Sequence, residues 1–233
     1  MAKALFVTGT GTDVGKTYVT ALMVKKLAES GENAAYYKAA MSGNRRRSDG
    51  SLIPGDAMFV QQTAGLSQPL GEMCPYVYEH AWSPHLAARY EGNPPELSVI
   101  RQGFEAVCSR HDYVTVEGSG GILCPLRAEN GKTLWLEDVI RALQLPSVII
   151  ADAGLGTINS VVLTAKYMQG KKLPVKGILF NHFHRGDTME EDNIAMCRQH
   201  TGLPVLACIP DGAQELPMEP TDLAALYEEV SLT

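Results

Sequence analysis

Apolar and polar residues along this chain form two kinds of stretch. Short runs rich in β-branched and other apolar residues are separated by longer stretches in which apolar and polar positions are mixed. The short runs are typical of strands and the longer stretches are typical of helices. The pattern predicts strands at residues 4–8, 34–38, 113–117, 147–152, 175–181 and 205–209. It predicts helices at residues 16–29, 56–63, 97–109, 136–143, 159–169 and 190–200.

Several predicted strands are apolar on consecutive positions, as at residues 148–150, which read Val-Ile-Ile. Strands buried on both faces have this composition, which indicates a parallel sheet covered by helices. Because strand and helix alternate, we predict an α/β fold with a doubly wound, mostly parallel sheet flanked by helices. The 233 residues show no repeat and no long charged linker. We therefore predict a single domain over residues 1–233.

Two segments, residues 40–55 and 65–84, fit neither pattern and are rich in Gly, Pro, Ser and other polar residues. Loops of this length within a compact domain are usually functional. Ligands of open α/β sheets bind beyond the carboxyl ends of the strands. We therefore expect these segments to form walls of a substrate site.

Charge and composition exclude several classes of protein. The formal net charge of −6 argues against a nucleic-acid partner. No apolar run approaches the roughly 20 residues of a membrane span, and the apolar segment at residues 4–7 is too short for a secretory signal. The five cysteines are scattered without a Cys-x-x-Cys pair. We expect a cytoplasmic protein with reduced cysteines and no membrane partner.

A glycine-rich segment between the first predicted strand and helix carries the main chemical signal. Residues 6–17 read Phe-Val-Thr-Gly-Thr-Gly-Thr-Asp-Val-Gly-Lys-Thr. Glycines let several backbone N–H groups face one anion, and the helix start adds its positive dipole end. A P-loop NTPase fold has this arrangement, in which Lys16 reaches the terminal phosphates and the Thr17 hydroxyl binds Mg²⁺. The predicted nucleotide-binding residues here are Gly11, Thr12, Asp13, Val14, Gly15, Lys16 and Thr17.

This loop departs from the common P-loop pattern. Thr10 stands at the position of the first glycine, and five residues separate Gly9 from Gly15. The alternative interpretation is a glycine-rich turn that only links a strand to a helix. Gly-Lys-Thr between a predicted strand and a predicted helix favours the phosphate site.

The variant loop, Gly-Thr-x-Thr-acidic-Val-Gly-Lys-Thr, resembles that of the dethiobiotin synthetase family. Further resemblances follow in order over residues 4–212, at residues 37–43 (Tyr-Lys-Ala-Ala-Met-Ser-Gly), 55–57 (Gly-Asp-Ala), 83–85 (Ser-Pro-His), 116–121 (Val-Glu-Gly-Ser-Gly-Gly), 154–159 (Gly-Leu-Gly-Thr-Ile-Asn), 181 (Asn) and 209–210 (Ile-Pro). Ala39 replaces a usual proline, Ser119 a usual alanine and Asp13 a common glutamate. These departures remove no charged catalytic group.

The resemblance implies an ATP-dependent ligase of biotin biosynthesis. Its substrate, 7,8-diaminopelargonic acid, takes up CO₂ as an N-carbamate, which attacks the γ-phosphate of ATP to give a carbamic–phosphoric anhydride. The second amine then closes the ring of dethiobiotin, and ADP and phosphate are the other products. Two anions must meet, so cations are needed between them. The catalytic residues implied are Lys16, Lys38, Thr12 and Ser42.

The magnesium ligands that the resemblance implies are Thr17, Asp56 and Glu117. Mg²⁺ prefers oxygen ligands and needs few protein groups. Asp56 follows Pro54-Gly55 and precedes an apolar stretch, so on the residues alone a helix N-cap is an equal alternative. Glu117 follows a predicted buried strand, which favours a site at the sheet edge over a surface carboxylate.

The resemblance also implies a substrate site and a homodimer in which the partner supplies the segment that holds the substrate carboxylate. An ordinary helix start capped by Thr157 is the alternative for that segment. The substrate-binding residues implied are Lys38, Ser42, Gly118, Gly156, Thr157, Ile158 and Asn159.

A base pocket is the remaining element that the resemblance implies. Asn181 ends a predicted strand and carries both a donor and an acceptor for an adenine edge. Pro210, Asp211 and Gly212 would complete the nucleotide site with Glu117, and a simple turn is their alternative. His182 and His184 could be imagined as metal ligands, but without an obvious third ligand we assign them no metal. His85 belongs to the resemblance but is assigned no role.

Two other classes of protein remain as alternatives. Related amide ligases need an attached glutaminase domain, for which 233 residues leave no room. A ParA/MinD-like nucleotide switch usually has a second lysine early in the P-loop, where this chain has Gly11 and Thr12. The acidic tail at residues 222–233 also lacks the basic face of a membrane-binding helix.

Overall fold

A computed structural model describes residues 1–230, so the last three residues of the acidic tail lie outside the described part. The strands are β1 Lys3–Gly9, β2 Ala34–Lys38, β3 Ala40–Met41, β4 Arg45–Arg46, β5 Leu52–Ile53, β6 Tyr76–Val77, β7 Tyr113–Glu117, β8 Pro125–Glu129, β9 Lys132–Trp135, β10 Ser147–Asp152, β11 Val175–Asn181, β12 Val205–Cys208 and β13 Glu228–Glu229. The helices are α1 Lys16–Glu29, α2 Gly55–Ala64, α3 Leu70–Met73, α4 Pro84–Glu91, α5 Leu97–Cys108, α6 Leu136–Leu143, α7 Thr157–Gly170, α8 Thr188–Thr201 and α9 Pro220–Ala224.

The main sheet has the strand order β12-β11-β10-β1-β7-β2, and each neighbouring pair in this order is parallel. The short strand β13 pairs antiparallel with the start of β1. The chain adds strands on both sides of β1, with β7 and β2 on one side and β10, β11 and β12 on the other. This change of direction creates a crevice at the carboxyl end of β1. The predicted α/β, doubly wound, mostly parallel sheet is confirmed.

Both faces of the sheet are buried under helices. Along β1, Phe6 belongs to a core that also contains residues of α5, α6, α7 and α8. Leu5 and Val7 belong to the opposite core, with residues of α1, α2 and α9. Full burial of such side chains stabilises a fold by about 1.5–3 kcal/mol each, which explains why these strands carry apolar residues at consecutive positions. Among residues 1–230, no helix combines the length and apolar composition needed to cross a bilayer.

All six predicted strands and all six predicted helices are present, with ends shifted by a few residues in some cases. The structure also contains short elements that the pattern did not predict, notably the β8–β9 hairpin, α3, α4 and α9. Segments 40–55 and 65–84 contain the small pairs β3–β6 and β4–β5. Strands of two residues are too short to show a readable period.

Candidate functional site

A cavity of about 320 Å³ opens at the carboxyl ends of β1, β2 and β7. The parallel register places Lys38 beside Glu117 and Glu117 beside Val7, so these strand ends share one edge of the sheet. The lining residues are Thr12, Asp13, Gly15, Lys16, Thr17, Tyr18, Lys38, Met41, Ser42, Asp56, Glu117, Ser119 and Gly120. Most of the predicted phosphate, metal and catalytic residues therefore meet in one cavity.

The glycine-rich loop turns sharply between β1 and α1. Asp13 and Gly15 both have left-handed backbone conformations, with φ of 61° and 83°. A Cβ at Gly15 would lie 2.1 Å from Asn181 Nδ2, so only glycine fits there. The first N–H groups of α1 have no side-chain cap, and they are the donors that bind an anion at a helix start.

The residue at the usual glycine position, Thr10, extends the strand pairing through its backbone. The Thr10 N–H donates to the Ile150 carbonyl at 3.0 Å, which continues the pairing of β1 with β10 by one residue. The extra residue of this loop falls between Gly9 and Gly15.

Lys16 lies largely buried in the cavity wall. Its Nζ donates to the Gly11 carbonyl at 2.6 Å, so the side chain folds back over its own loop. A Cβ at Gly9 would lie 2.9 Å from Lys16 Cδ, which shows why a glycine precedes this loop. Burial lowers the pKa of Lys16, and the charge of Glu117 partly offsets this effect.

Lys38 joins the two predicted carboxylate ligands. Its Nζ lies 2.6 Å from Glu117 Oε1 and 2.6 Å from Asp56 Oδ2. The side chains of Lys38 and Glu117 are 6% and 0% exposed, whereas that of Asp56 is 39% exposed. Burial lowers the pKa of Lys38. The negative charges of Glu117 and then Asp56 raise it by more than burial lowers it, so the pKa of Lys38 is above its usual value.

Asp56 lies in the first turn of α2, whose N-cap residue is Pro54. No side-chain cap bond forms at this helix start. The carboxylate instead contacts Lys38 and lines the cavity. The alternative interpretation of Asp56 as a helix N-cap is therefore wrong.

Glu117 accepts hydrogen bonds on both carboxylate oxygens. Thr17 Oγ1 donates to Oε1 at 2.8 Å, and the Tyr36 hydroxyl donates to Oε2 at 2.9 Å. Burial and then the Glu117 charge raise the pKa of Tyr36, so its phenol stays protonated and remains a donor. Tyr36 is a residue of the site that the sequence patterns did not indicate. The available signal was a phenol in a buried strand, two positions before Lys38 and hence on the same face.

The oxygens of Thr17, Asp56 and Glu117 fit Mg²⁺, because they are the hard ligands that this ion prefers. In the structure Thr17 donates a hydrogen bond to Glu117, and Lys38 donates to both Glu117 and Asp56. Within residues 1–230 there is no group of three or more His, Cys, Asp or Glu side chains arranged to hold a metal. The ion at this site would therefore depend on phosphate and water oxygens for its remaining ligands, as Mg²⁺ commonly does.

The turn after β7 is tied to the loop after β2. Ser119 Oγ donates to the Ala40 carbonyl at 2.6 Å, so this departure from the family pattern links the two segments. Ser42 Oγ donates to the Trp82 carbonyl at 2.6 Å, which leaves its lone pairs free to accept from a ligand. A Cβ at Gly118 would lie 2.8 Å from Leu136 Cδ2, so Gly118 allows the turn to pack against α6.

The segment predicted to hold the substrate carboxylate lies apart from this cavity. Gly156, with φ of 93°, is the N-cap residue of α7, and the Thr157 side chain forms no cap bond. Thr157 is therefore not the cap that the alternative interpretation required. Residues 156–159 do not line the cavity around Lys16.

An apolar groove of about 860 Å³ lies between the glycine-rich loop, the turn after β7 and α7, and it shares Thr12 and Gly120 with the first cavity. Leu123 and Leu163 border it and are 55% and 63% exposed. Leu155, just before α7, is 91% exposed. Exposed apolar side chains grouped in this way mark an interaction site.

The predicted base pocket begins beside the P-loop. Asn181 is buried, and its Nδ2 donates to the Val14 carbonyl at 3.3 Å. His182 Nδ1 lies 2.8 Å from Asp211 Oδ1, which connects the end of β11 with the turn after β12. The Tyr18 hydroxyl donates to the Ala213 carbonyl and holds the same turn against α1. Residues 210–212, Pro-Asp-Gly, thus lie next to the nucleotide loop.

The glycine-rich loop, the helix that follows it and the lysine and carboxylates at the sheet edge define a P-loop nucleotide-binding protein. A family model described as an AAA domain matches residues 3–216. A solved MinC:MinD cell division protein complex from Aquifex aeolicus has a chain with the same fold, with a TM-score of 0.57 and 14% identity over 91% of this chain and 83% of that chain.

Curated relatives specify the family further. A protein of Brachyspira hyodysenteriae named ATP-dependent dethiobiotin synthetase BioD is 47% identical over 98% of this chain and 100% of its own length. A protein of the same name from Clostridium botulinum strain Loch Maree is 42% identical over 99% of this chain and 100% of its own length. The chain belongs to the family of ATP-dependent dethiobiotin synthetases, which are ligases that form C–N bonds.

Proposed function

We propose that this protein converts 7,8-diaminopelargonic acid, CO₂ and ATP into dethiobiotin, ADP and phosphate. The ATP-dependent ligase activity and the place in biotin biosynthesis follow from the family. The observation that supports the finer reaction is the cluster of Lys16, Lys38, Asp56 and Glu117 in one cavity at the end of a P-loop strand. Such a cavity binds an anionic phosphate chain and a second anion together.

The proposed reaction first forms an N–C bond between one amine of the substrate and CO₂, with loss of a proton. A carbamate oxygen then attacks the γ-phosphorus of ATP, and the bond from that phosphorus to the ADP oxygen breaks. In the last step the second amine attacks the carbonyl carbon of the carbamic–phosphoric anhydride, the bond from that carbon to the phosphate oxygen breaks, and the new ring nitrogen loses a proton. The repulsion between carbamate and triphosphate is the main barrier that the protein must lower.

Lys16 and Lys38 lower that barrier because they place positive charge where the two anions approach. The raised pKa of Lys38 keeps its ammonium charged. Thr12 and Ser42 line the same cavity. Because the Ser42 hydroxyl donates its proton to the Trp82 carbonyl, its oxygen accepts a hydrogen bond from the substrate amine. Preorganised charges and dipoles of this kind stabilise a transition state more than a ground state.

Thr17, Asp56 and Glu117 are the proposed Mg²⁺ ligands, and the ion would neutralise part of the triphosphate charge. Residues 11–17 would hold the phosphates, while Asn181 with Pro210, Asp211 and Gly212 would hold the base. The free N–H groups at the start of α1 support the phosphate part of this assignment. The contact between Asn181 and the P-loop supports the base part.

We further propose a homodimer in which one chain binds the substrate carboxylate for the other. This proposal rests on the separation of residues 156–159 from the cavity around Lys38. It rests also on the exposed side chains of Leu123 and Leu163, which border the apolar groove, and on the exposed side chain of Leu155 just before α7. Gly118 would contact the substrate between its reacting amines and its carboxylate.

The shared site can be tested by mixing two inactive variants, Lys38→Ala and Asn159→Ala. In a mixed dimer one of the two sites keeps both wild-type halves, so activity should partly return after subunit exchange. A mixture that stays inactive while sedimentation shows mixed dimers would contradict the shared site. A monomer at assay concentration would contradict the dimer itself.

The reaction itself is tested by phosphate release from Mg·ATP and bicarbonate, with and without the diamine. We expect strong stimulation by the diamine and incorporation of labelled carbon from bicarbonate into the product. Slow hydrolysis that does not respond to the diamine would still support the nucleotide site, but it would contradict the diamine as substrate. That result would favour a related ligase or a nucleotide switch.

A further inference from the structure

Tyr36 places a hydroxyl group deep in the sheet, directly behind the proposed metal site. Its side chain is fully buried, and its hydroxyl donates to Glu117 Oε2 at 2.9 Å. The opposite oxygen, Glu117 Oε1, faces Thr17 Oγ1 and Lys38 Nζ. A carboxylate can rotate about its last side-chain bond, because the rotamer preference there is broad. The bond from Tyr36 fixes one oxygen and thereby sets the direction of the other.

Tyr36 is itself held by a side chain from outside the sheet. Within residues 1–230, β2 is the last strand in the sheet order, so the backbone groups of Tyr36 that point away from β7 have no neighbouring strand there. The buried side chain of Gln68 takes that place. It accepts from the Tyr36 N–H at 3.0 Å and donates to the Tyr36 carbonyl at 3.0 Å. Both backbone polar groups of Tyr36 are therefore paired with one side chain at the outer edge of the sheet.

The contacts form a chain from the edge of the sheet to the cavity. Gln68 fixes the backbone of Tyr36, the Tyr36 hydroxyl orients Glu117, and Glu117 contacts Thr17 at the start of α1. We propose that Tyr36 is a positioning residue that holds Glu117 in the orientation required for magnesium binding. This inference rests on the proposed magnesium ligands, and Tyr36 itself is not among the residues that line the cavity.

The neighbouring residue provides a matched control. Tyr37 is also fully buried, and its hydroxyl donates to the Ile100 carbonyl at 2.7 Å on the opposite face of the sheet. Tyr36→Phe and Tyr37→Phe therefore each remove one buried hydroxyl with one hydrogen bond. A merely structural role for Tyr36 would make the two variants behave alike.

The experiment compares wild type, Tyr36→Phe and Tyr37→Phe in two measurements. The first is ADP affinity by calorimetry, with and without Mg²⁺. The second is the Mg²⁺ concentration that gives half-maximal diamine-dependent phosphate release. Loss of a group that orients a metal ligand typically weakens metal binding by roughly 10- to 100-fold. We expect that increase in the half-maximal Mg²⁺ concentration for Tyr36→Phe, with kcat largely recovered at saturating Mg²⁺ and metal-free ADP affinity unchanged.

Tyr37→Phe should keep the wild-type dependence on Mg²⁺, even where its melting temperature falls as much as that of Tyr36→Phe. Equal Mg²⁺ dependence in all three proteins would overturn the positioning role. If ADP binding to the wild type does not respond to Mg²⁺ at all, the proposed magnesium ligands are wrong, which is a separate outcome.

Discussion

Replacing Lys38 with methionine keeps most of the side-chain length and removes its charge. In the structure this charge lies 2.6 Å from Glu117 Oε1, and the Glu117 side chain is 0% exposed. Removing one partner of a buried ion pair costs about 3–5 kcal/mol, because the other charge stays buried without compensation. The Asp56 contact adds little to stability, since that carboxylate is 39% exposed. For a chain of this size, the loss corresponds to a fall in Tm of about 6–20 °C.

Adding Glu117→Gln to the same chain separates stability from catalysis. The second substitution removes the uncompensated charge and keeps an oxygen that can accept from Tyr36. We therefore expect Lys38→Met/Glu117→Gln to recover most of the lost Tm. Diamine-dependent phosphate release should stay at least about 10²-fold below wild type in both variants, because a preorganised charge acts in the transition state.

The assays are thermal unfolding followed by circular dichroism without nucleotide, and phosphate release with diamine and bicarbonate. A Lys38→Met protein with the wild-type Tm would refute the buried ion pair. So would a double variant that melts as low as the single one. Wild-type turnover by Lys38→Met would remove the lysine from the mechanism.

Three further predictions follow from the loop and the sheet edge. Lys16→Ala should abolish diamine-dependent phosphate release and leave the unfolding curve nearly unchanged; turnover near wild type would contradict the P-loop assignment. Gly15→Ala should weaken ADP binding by roughly tenfold or more, since a Cβ at φ of 83° meets Asn181 Nδ2 at 2.1 Å; calorimetry that shows unchanged affinity would disprove this. Gln68→Leu should lower the free energy of unfolding by about 1–3 kcal/mol in urea, because buried backbone groups of a strand lose their partner; an unchanged midpoint would show that the amide contributes nothing.

Periodicity and local motifs predicted most of the fold. The six main strands are apolar because both faces are covered, and this burial can be read from consecutive residues. The glycine-rich loop was equally readable, because the groups that bind an anion lie within a few residues of one another. The ligase activity came from an ordered resemblance to a family, and relatives that match nearly the whole chain bear it out.

The contacts around Glu117 were not readable in the same way. Its partners Tyr36 and Thr17 are 81 and 100 residues away along the chain. Strand composition indicates that Tyr36 is buried, but it does not indicate which polar atom meets its hydroxyl. That depends on the register of β2 against β7, which places Lys38 opposite Glu117.

Segments 40–55, 65–84 and 154–159 show the same limit. Their conformations depend on bonds to distant residues, such as Gln68 to Tyr36 and Ser42 to Trp82. A period along the chain reports how an element faces the core, whereas the geometry of a site depends on which elements become neighbours. Local sequence therefore predicted the sheet, its helices and the phosphate loop, and the packing of distant segments determined how the loop, Lys38 and Glu117 are held together.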